Sequence, residues 1–145
     1  MTAVKDLLRG RTIGDVFSIH PDASLTQAIS ALSEKNIGAL LVIDTDGKIV
    51  GILSERDIVR RVDLRDYTTA DIRVADIMTA KVVYIEANQP LEACMVLMND
   101  VGIRHLPVME NEVLLGLISI RDVLKAIIHE QKIVISHLEN YIRGG

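Results

Sequence analysis

Apolar residues along this chain follow two rhythms in alternation. Leu25, Ile29 and Leu32 recur at helical spacing, and Ser24 with Gln27 stands ahead of them as a capping box. A helix is predicted over 24–35. The next apolar run, "ALLVI" at 39–43, is short and continuous, as a strand reads. "DTDG" at 44–47 supplies turn residues, and 48–53 returns as the second arm of a hairpin. A helix begins at Ser54, and a short strand at 16–19 precedes the whole. The order is β-α-β-β-α.

That order occurs twice. "SIHPDASLTQAISALSEKNIGALLVID" (18–44) matches "YIEANQPLEACMVLMNDVGIRHLPVME" (84–110) at a constant offset of 66. Leu25 falls on Leu91, Ala28 on Cys94, Leu32 on Met98, Leu40 on Leu106 and Val42 on Val108. One residue is lost in the hairpin turn, and "GILSERDIV" (51–59) then matches "GLISIRDVL" (116–124) at offset 65. The second copy predicts strands at 82–85, 105–109 and 113–118, a helix at 89–99, and a helix from Ser119. A unit repeated only twice cannot bury its apolar face alone, so the halves are expected to pack on each other. Residues 1–62 form the first repeat, with "AVKDLLRG" (3–10) as a short helix ended by Gly10. Residues 63–81 link the copies, with "VADIM" as one helical turn; 82–130 form the second repeat and 131–145 extend its last helix.

Composition narrows the function classes. The 145 residues are 49% hydrophobic and only 3% aromatic, so the core is aliphatic and the chain is not disordered. A net charge of −4 argues against a nucleic-acid partner, which calls for a basic face. No apolar run is long enough for a membrane span, and the N-terminus lacks a signal peptide. Cys94 is the only cysteine, which suits a reducing cytoplasm and leaves no multi-cysteine metal site.

The closing helix of each copy starts with the same chemistry, Ser54-x-Arg56-Asp57 and Ser119-x-Arg121-Asp122. A serine three residues before an aspartate is a complete N-cap and needs no ligand. The arginines do not fit that account. A cation in the first turn faces the positive end of the macrodipole, at a cost of several tenths of a kcal/mol. Both copies accept it. Helix N–H groups, a hydroxyl and a guanidinium together make an anion cradle. The aspartate can accept hydrogen bonds from two ribose hydroxyls, as acidic residues do in dinucleotide folds. Phosphate with ribose points to a nucleotide.

The repeated unit, with "GALLVID…GKIVGILSERDIVR" and "IRHLPVME…VLLGLISIRDVLK", resembles a pair of CBS domains (the Bateman module) over about residues 14 to 130. The resemblance implies an α+β fold of the CBS type, two β-α-β-β-α repeats packed by pseudo-twofold symmetry. It also implies adenosine-containing ligands: AMP, ADP or ATP first, with NAD(H) or S-adenosylmethionine as other members of the set, no metal, and a regulatory role toward a partner protein. Each ligand cleft would mix the copies. One would combine Ile52, Ser54, Arg56 and Asp57 with Tyr84, Ile85, Arg104 and His105. The other would combine Leu117, Ser119, Arg121 and Asp122 with Ile19, His20, Gly38 and Ala39. Arg104 and His105 have no cationic counterparts in the first copy, so the first cleft should favour more phosphate.

Other residues read as structure. Cys94, Met95 and Met98 lie on an apolar helix face, and His129 and His137 lack ligand spacing. No nucleophile–base set assembles, so no enzyme is expected. From Ile120 to Ile142 apolar residues recur at 120, 124, 127, 128, 135, 138 and 142, widened by Val134 and Tyr141. One CBS pair would leave part of that stripe in water, and a homodimer is expected to cover it. The competing expectation is a structural dimer, a docking module whose clefts are degenerate.

Overall fold

The computed structural model describes residues 2–10, 17–62 and 70–143. The chain divides into two compact units, Gly14–Val83 and a second that joins Met1–Ile13 to Tyr84–Gly145. The first holds β1 (Ser18–Ile19), α1 (Leu25–Lys35), β2 (Ala39–Ile43), β3 (Ile49–Ser54), α2 (Glu55–Arg61) and α3 (Val74–Ile77). The second holds β4 (Ile85–Glu86), α4 (Leu91–Val101), β5 (His105–Glu110), β6 (Val113–Ser119) and α5 (Ile120–Ile142). It also holds a tight 3-10 turn at Val4–Leu8. The predicted β-α-β-β-α order is present in both. Residue 16 of the predicted first strand and residues 63–69 of the linker lie outside the described residues.

Each unit carries a three-stranded sheet, β1-β2-β3 and β4-β5-β6, with the first pair parallel and the second antiparallel. The hairpin registers correspond: Ala39 faces Ser54, and His105 faces Ser119. The one-residue difference between the copies sits in the turns. Gly47 takes φ +83° in the first, while Asn111 and Glu112 take φ +51° and +66° in the shorter second. Ser24 accepts from the Gln27 N–H and its own N–H donates to the Gln27 side chain at 2.9 Å, so the capping box forms as predicted. The second helix starts at Leu91, two residues later than predicted, because Pro90 supplies its cap position. It exits through Gly102 at φ +76°.

The core of the first unit is aliphatic: Leu25, Ala28, Leu32, Leu40, Val42 and Leu53, closed by Ile72, Val74 and Ile77. Those last three come from the segment ahead of the second repeat. Leu25 N–H donates to Ile72 O, Val74 N–H to Ala23 O and Ala75 N–H to Pro21 O. The N-terminal turn makes the matching bonds with the second repeat. Leu91 N–H donates to Thr2 O, Val4 N–H to Gln89 O and Lys5 N–H to Ala87 O. Sequence order suggests that residues 3–10 belong with the first repeat; the hydrogen bonds seat them on the second. "VKDLL" and "VADIM" are therefore equivalent lead segments, each with a buried valine and an aspartate closing the turn. Cys94 is fully buried, and desolvation pushes its thiol up to about 11.

Each lead segment also lies over a strand glycine. A Cβ on Gly51 would meet the Met78 sulfur at 2.5 Å and the Thr79 carbonyl at 3.0 Å; one on Gly116 would meet Leu8 Cδ2 at 2.8 Å. The thioether and the leucine methyl can swing aside, but a backbone carbonyl cannot. Gly51→Ala is expected to lower stability by roughly 1–3 kcal/mol, and Gly116→Ala by less. Urea unfolding of the two variants tests the order.

Candidate functional site

The two Ser-x-Arg-Asp segments fold alike. Ser54 ends β3 and caps α2, with its Oγ accepting from the Asp57 N–H at 3.2 Å while Asp57 Oδ2 accepts from the Ser54 N–H at 2.9 Å. Ser119 ends β6 and caps α5 with the same distances to Asp122. Both copies thus form the reciprocal N-cap that needs no ligand. The cap does not exhaust the carboxylate. Asp57 Oδ1 accepts a further bond from the Thr79 hydroxyl at 3.1 Å. Ser54, Arg56, Asp57, Ser119 and Asp122 are half-buried and Arg121 is exposed.

Thr79 is the residue sequence reasoning missed. It follows α3, and its backbone pairs both ways with Ile52 at 3.0 and 2.9 Å, which puts its hydroxyl against the α2 start. The signal was the likeness of 4–8 to 74–78, which marks the segment as a docked element and not a tether.

The strand residues named from the resemblance fall into two groups, each inside its own repeat. The Glu55 N–H donates to Gly38 O at 3.0 Å and Ala39 faces Ser54, so Gly38 and Ala39 adjoin the α2 start. Likewise the Ile120 N–H donates to Arg104 O at 2.8 Å and His105 faces Ser119. Arg104 and His105 of the second copy therefore adjoin the start of α5 through their backbone, at the positions where the first copy has Gly38 and Ala39. Arg104 is exposed and His105 half-buried. Ile52 and Leu117 are half-buried strand residues facing Leu41 and Pro107.

Ile19, half-buried, lies on β1 beside Val42, and Ile85 is buried on β4 beside Val108. Tyr84 is exposed. His20 is locally engaged: its Nδ1 accepts from the Asp22 N–H at 3.1 Å, which leaves the hydrogen on Nε2, 3.1 Å from Thr45 Oγ1. Among the described residues no group of three His, Cys, Asp or Glu is placed to hold a metal, and no helix is long and apolar enough to cross a membrane.

The model of the CBS domain family matches residues 4–64 and 74–129, so each match begins at a lead-segment valine. The CBS-domain-containing protein of Agrobacterium tumefaciens, whose crystal structure is solved, is 40% identical and superposes with a TM-score of 0.79, covering 86% of this chain and 98% of that one. The mitochondrial CBS domain-containing protein CBSX3 of Arabidopsis thaliana is 32% identical over 99% of this chain and 73% of its own. Inosine-5'-monophosphate dehydrogenase of Methanocaldococcus jannaschii is 33% identical over 78% of this chain but only 22% of the enzyme. The similarity to that enzyme thus covers only a small part of it.

Proposed function

This chain belongs to the CBS-domain family, whose paired repeats serve as regulatory modules, and from that premise we propose that it senses adenine nucleotides and modulates a partner protein without chemistry of its own. One observation carries the reading: two Ser-x-Arg-Asp helix starts with identical capping geometry, each presenting a carboxylate beside an arginine at a positive helix end. AMP, ADP and ATP fit this chemistry best; NAD(H) and S-adenosylmethionine share its adenosine moiety. The chain works as a homodimer in a reducing cytoplasm, which the single buried thiol suits. A second reading, a docking module with degenerate clefts, is favoured by the exposed apolar residues of α5. A thermal-shift panel of AMP, ATP, NADH and S-adenosylmethionine separates the two. A ligand at a hundred times its Kd adds about 2.7 kcal/mol of stability, whereas a docking module does not respond. Analysis of the same mixtures for hydrolysis products tests the absence of catalysis.

The cationic asymmetry makes a sharper test. We keep, as part of the proposal, the allotment implied by the family: Arg104 and His105 serve the site of Asp57. Arg104→Ala is then expected to lose ATP affinity more than AMP affinity, by roughly 10-fold or more, and the gap should narrow as salt rises. In an Asp57→Asn background the Arg104 effect should vanish; in an Asp122→Asn background it should persist. The reverse would assign Arg104 to the helix start that it flanks in its own repeat.

A further inference from the structure

Helix α5 carries a pattern finer than an apolar stripe. Leu124, Ile128, Gln131, Ile135, Leu138 and Ile142 alternate steps of four and three, a strict heptad rhythm, with isoleucine at one core position and leucine at the other apart from Gln131. The apolar members are between 42% and 79% exposed. The flank of Ile127 is engaged at the first half of the helix: the Thr2 N–H donates to Glu130 Oε1 at 3.2 Å, and the Val4–Leu8 turn lies against α5. Beyond Glu130 every described residue of α5 is exposed, Ile133, Val134 and Tyr141 as well as the heptad members.

We infer that this face pairs with the same face of a second copy in antiparallel orientation, centred between Ser136 and His137. The flanking residues choose the direction. On one side of the stripe stand Ile127, Val134 and Tyr141; on the other stand Lys125, Lys132 and Glu139. Parallel helices would set each flank against the opposite one, placing apolar residues on charged ones. Antiparallel helices set like flank against like. Val134 then packs on Tyr141 of the partner subunit, and Lys132 meets Glu139 of the partner subunit, twice by symmetry. In the core, Ile135 faces Leu138 of the partner subunit. Gln131 faces Ile142 of the partner subunit at the ends of an overlap of about 18 Å, where water can still reach its amide. A groove of about 370 Å³ between α4 and α5, lined by Ile127, Gln131, Val134 and Ile135 with Glu92 opposite, adjoins the stripe and offers the tyrosine ring a seat.

The inference rests on the homodimer reading and is independent of nucleotide binding. Lys132 and Glu139 are about 10 Å apart along one helix and cannot pair within it, which makes a charge swap clean. Sedimentation equilibrium of the full chain is the test. Leu138→Asp, at an exposed site, is expected to give a folded monomer. Lys132→Glu and Glu139→Lys should each weaken the dimer by about tenfold, and the double swap should recover to within about threefold of wild type. A wild-type monomer at micromolar concentration overturns this surface and the homodimer together. A dimer indifferent to Leu138→Asp overturns the surface alone. Single reversals that the swap does not rescue overturn the antiparallel pairing.

Discussion

Val4→Asp is expected to destabilise the protein by on the order of 4 kcal/mol, although the residue lies near the start of the chain. Its side chain is fully buried, and its N–H holds the Gln89 carbonyl of the second repeat at 2.7 Å. Among the described residues no polar or charged side chain is buried, so a carboxylate there must be desolvated unpaired or the turn must leave its seat. Val74→Asp should cost about as much, because Val74 is equally buried and makes the matching bond to Ala23 at 2.9 Å. Either loss is a large share of the roughly 5–15 kcal/mol that holds a domain folded. Val59→Asp, at a site 82% exposed on α2, should fall within about 0.5 kcal/mol of wild type. Urea denaturation of the three variants is the measurement. If Val4→Asp behaves like Val59→Asp, the N-terminal turn is not part of the second unit.

The second large effect concerns ligand. Asp57→Ala and Asp122→Ala are each expected to weaken nucleotide binding at one site by roughly 10- to 100-fold, the loss of a charge-assisted bond to ribose. Both variants are expected to keep the fold, at some cost in stability. Each carboxylate closes a capping box, and Asp57 also accepts from Thr79. Alanine should therefore cost about 1 kcal/mol of stability as well. Asp57→Asn and Asp122→Asn keep an oxygen for the serine N–H while removing the charge, so they separate the two effects. Calorimetric titration with AMP and ATP should show weakened binding in the asparagine variants at near wild-type melting temperature. Unchanged affinity and stoichiometry in all four variants would leave the aspartates as caps and nothing more.

Much of the fold was legible because its signals are local. The Ser24–Gln27 box, the "ALLVI" strand and the Asp44–Gly47 turn each fix a few dihedral angles by themselves, and the recurrence of the apolar spacing after 66 residues exposed the duplication. The helix-start serines were legible for the same reason. What the sequence hid was partnership. Nothing in "VKDLL" states which repeat will bury Val4, since both repeats offer the same carbonyls and the same apolar hole. Thr79 and Asp57 are 22 positions apart, and only the path of the chain after α3 brings hydroxyl to carboxylate. Gly38 and Arg104 occupy equivalent positions just ahead of a strand, so the repeat named them; whether they serve their own helix start or the other is a tertiary matter.

The lead segments make the genetic repeat and the folded unit run out of phase. A fragment cut as 17–62 has a socket without a plug: Ala23 and Pro21 carbonyls lose their donors, and Leu25, Leu32 and Leu53 lose the cover of Val74 and Ile77. A fragment of 2–62 has a plug, but one whose native socket lies in the other half. A lone repeat is therefore expected to exchange plugs with a second copy and to sediment as a pair. Duplication within one gene turns that exchange into a property of a single polypeptide.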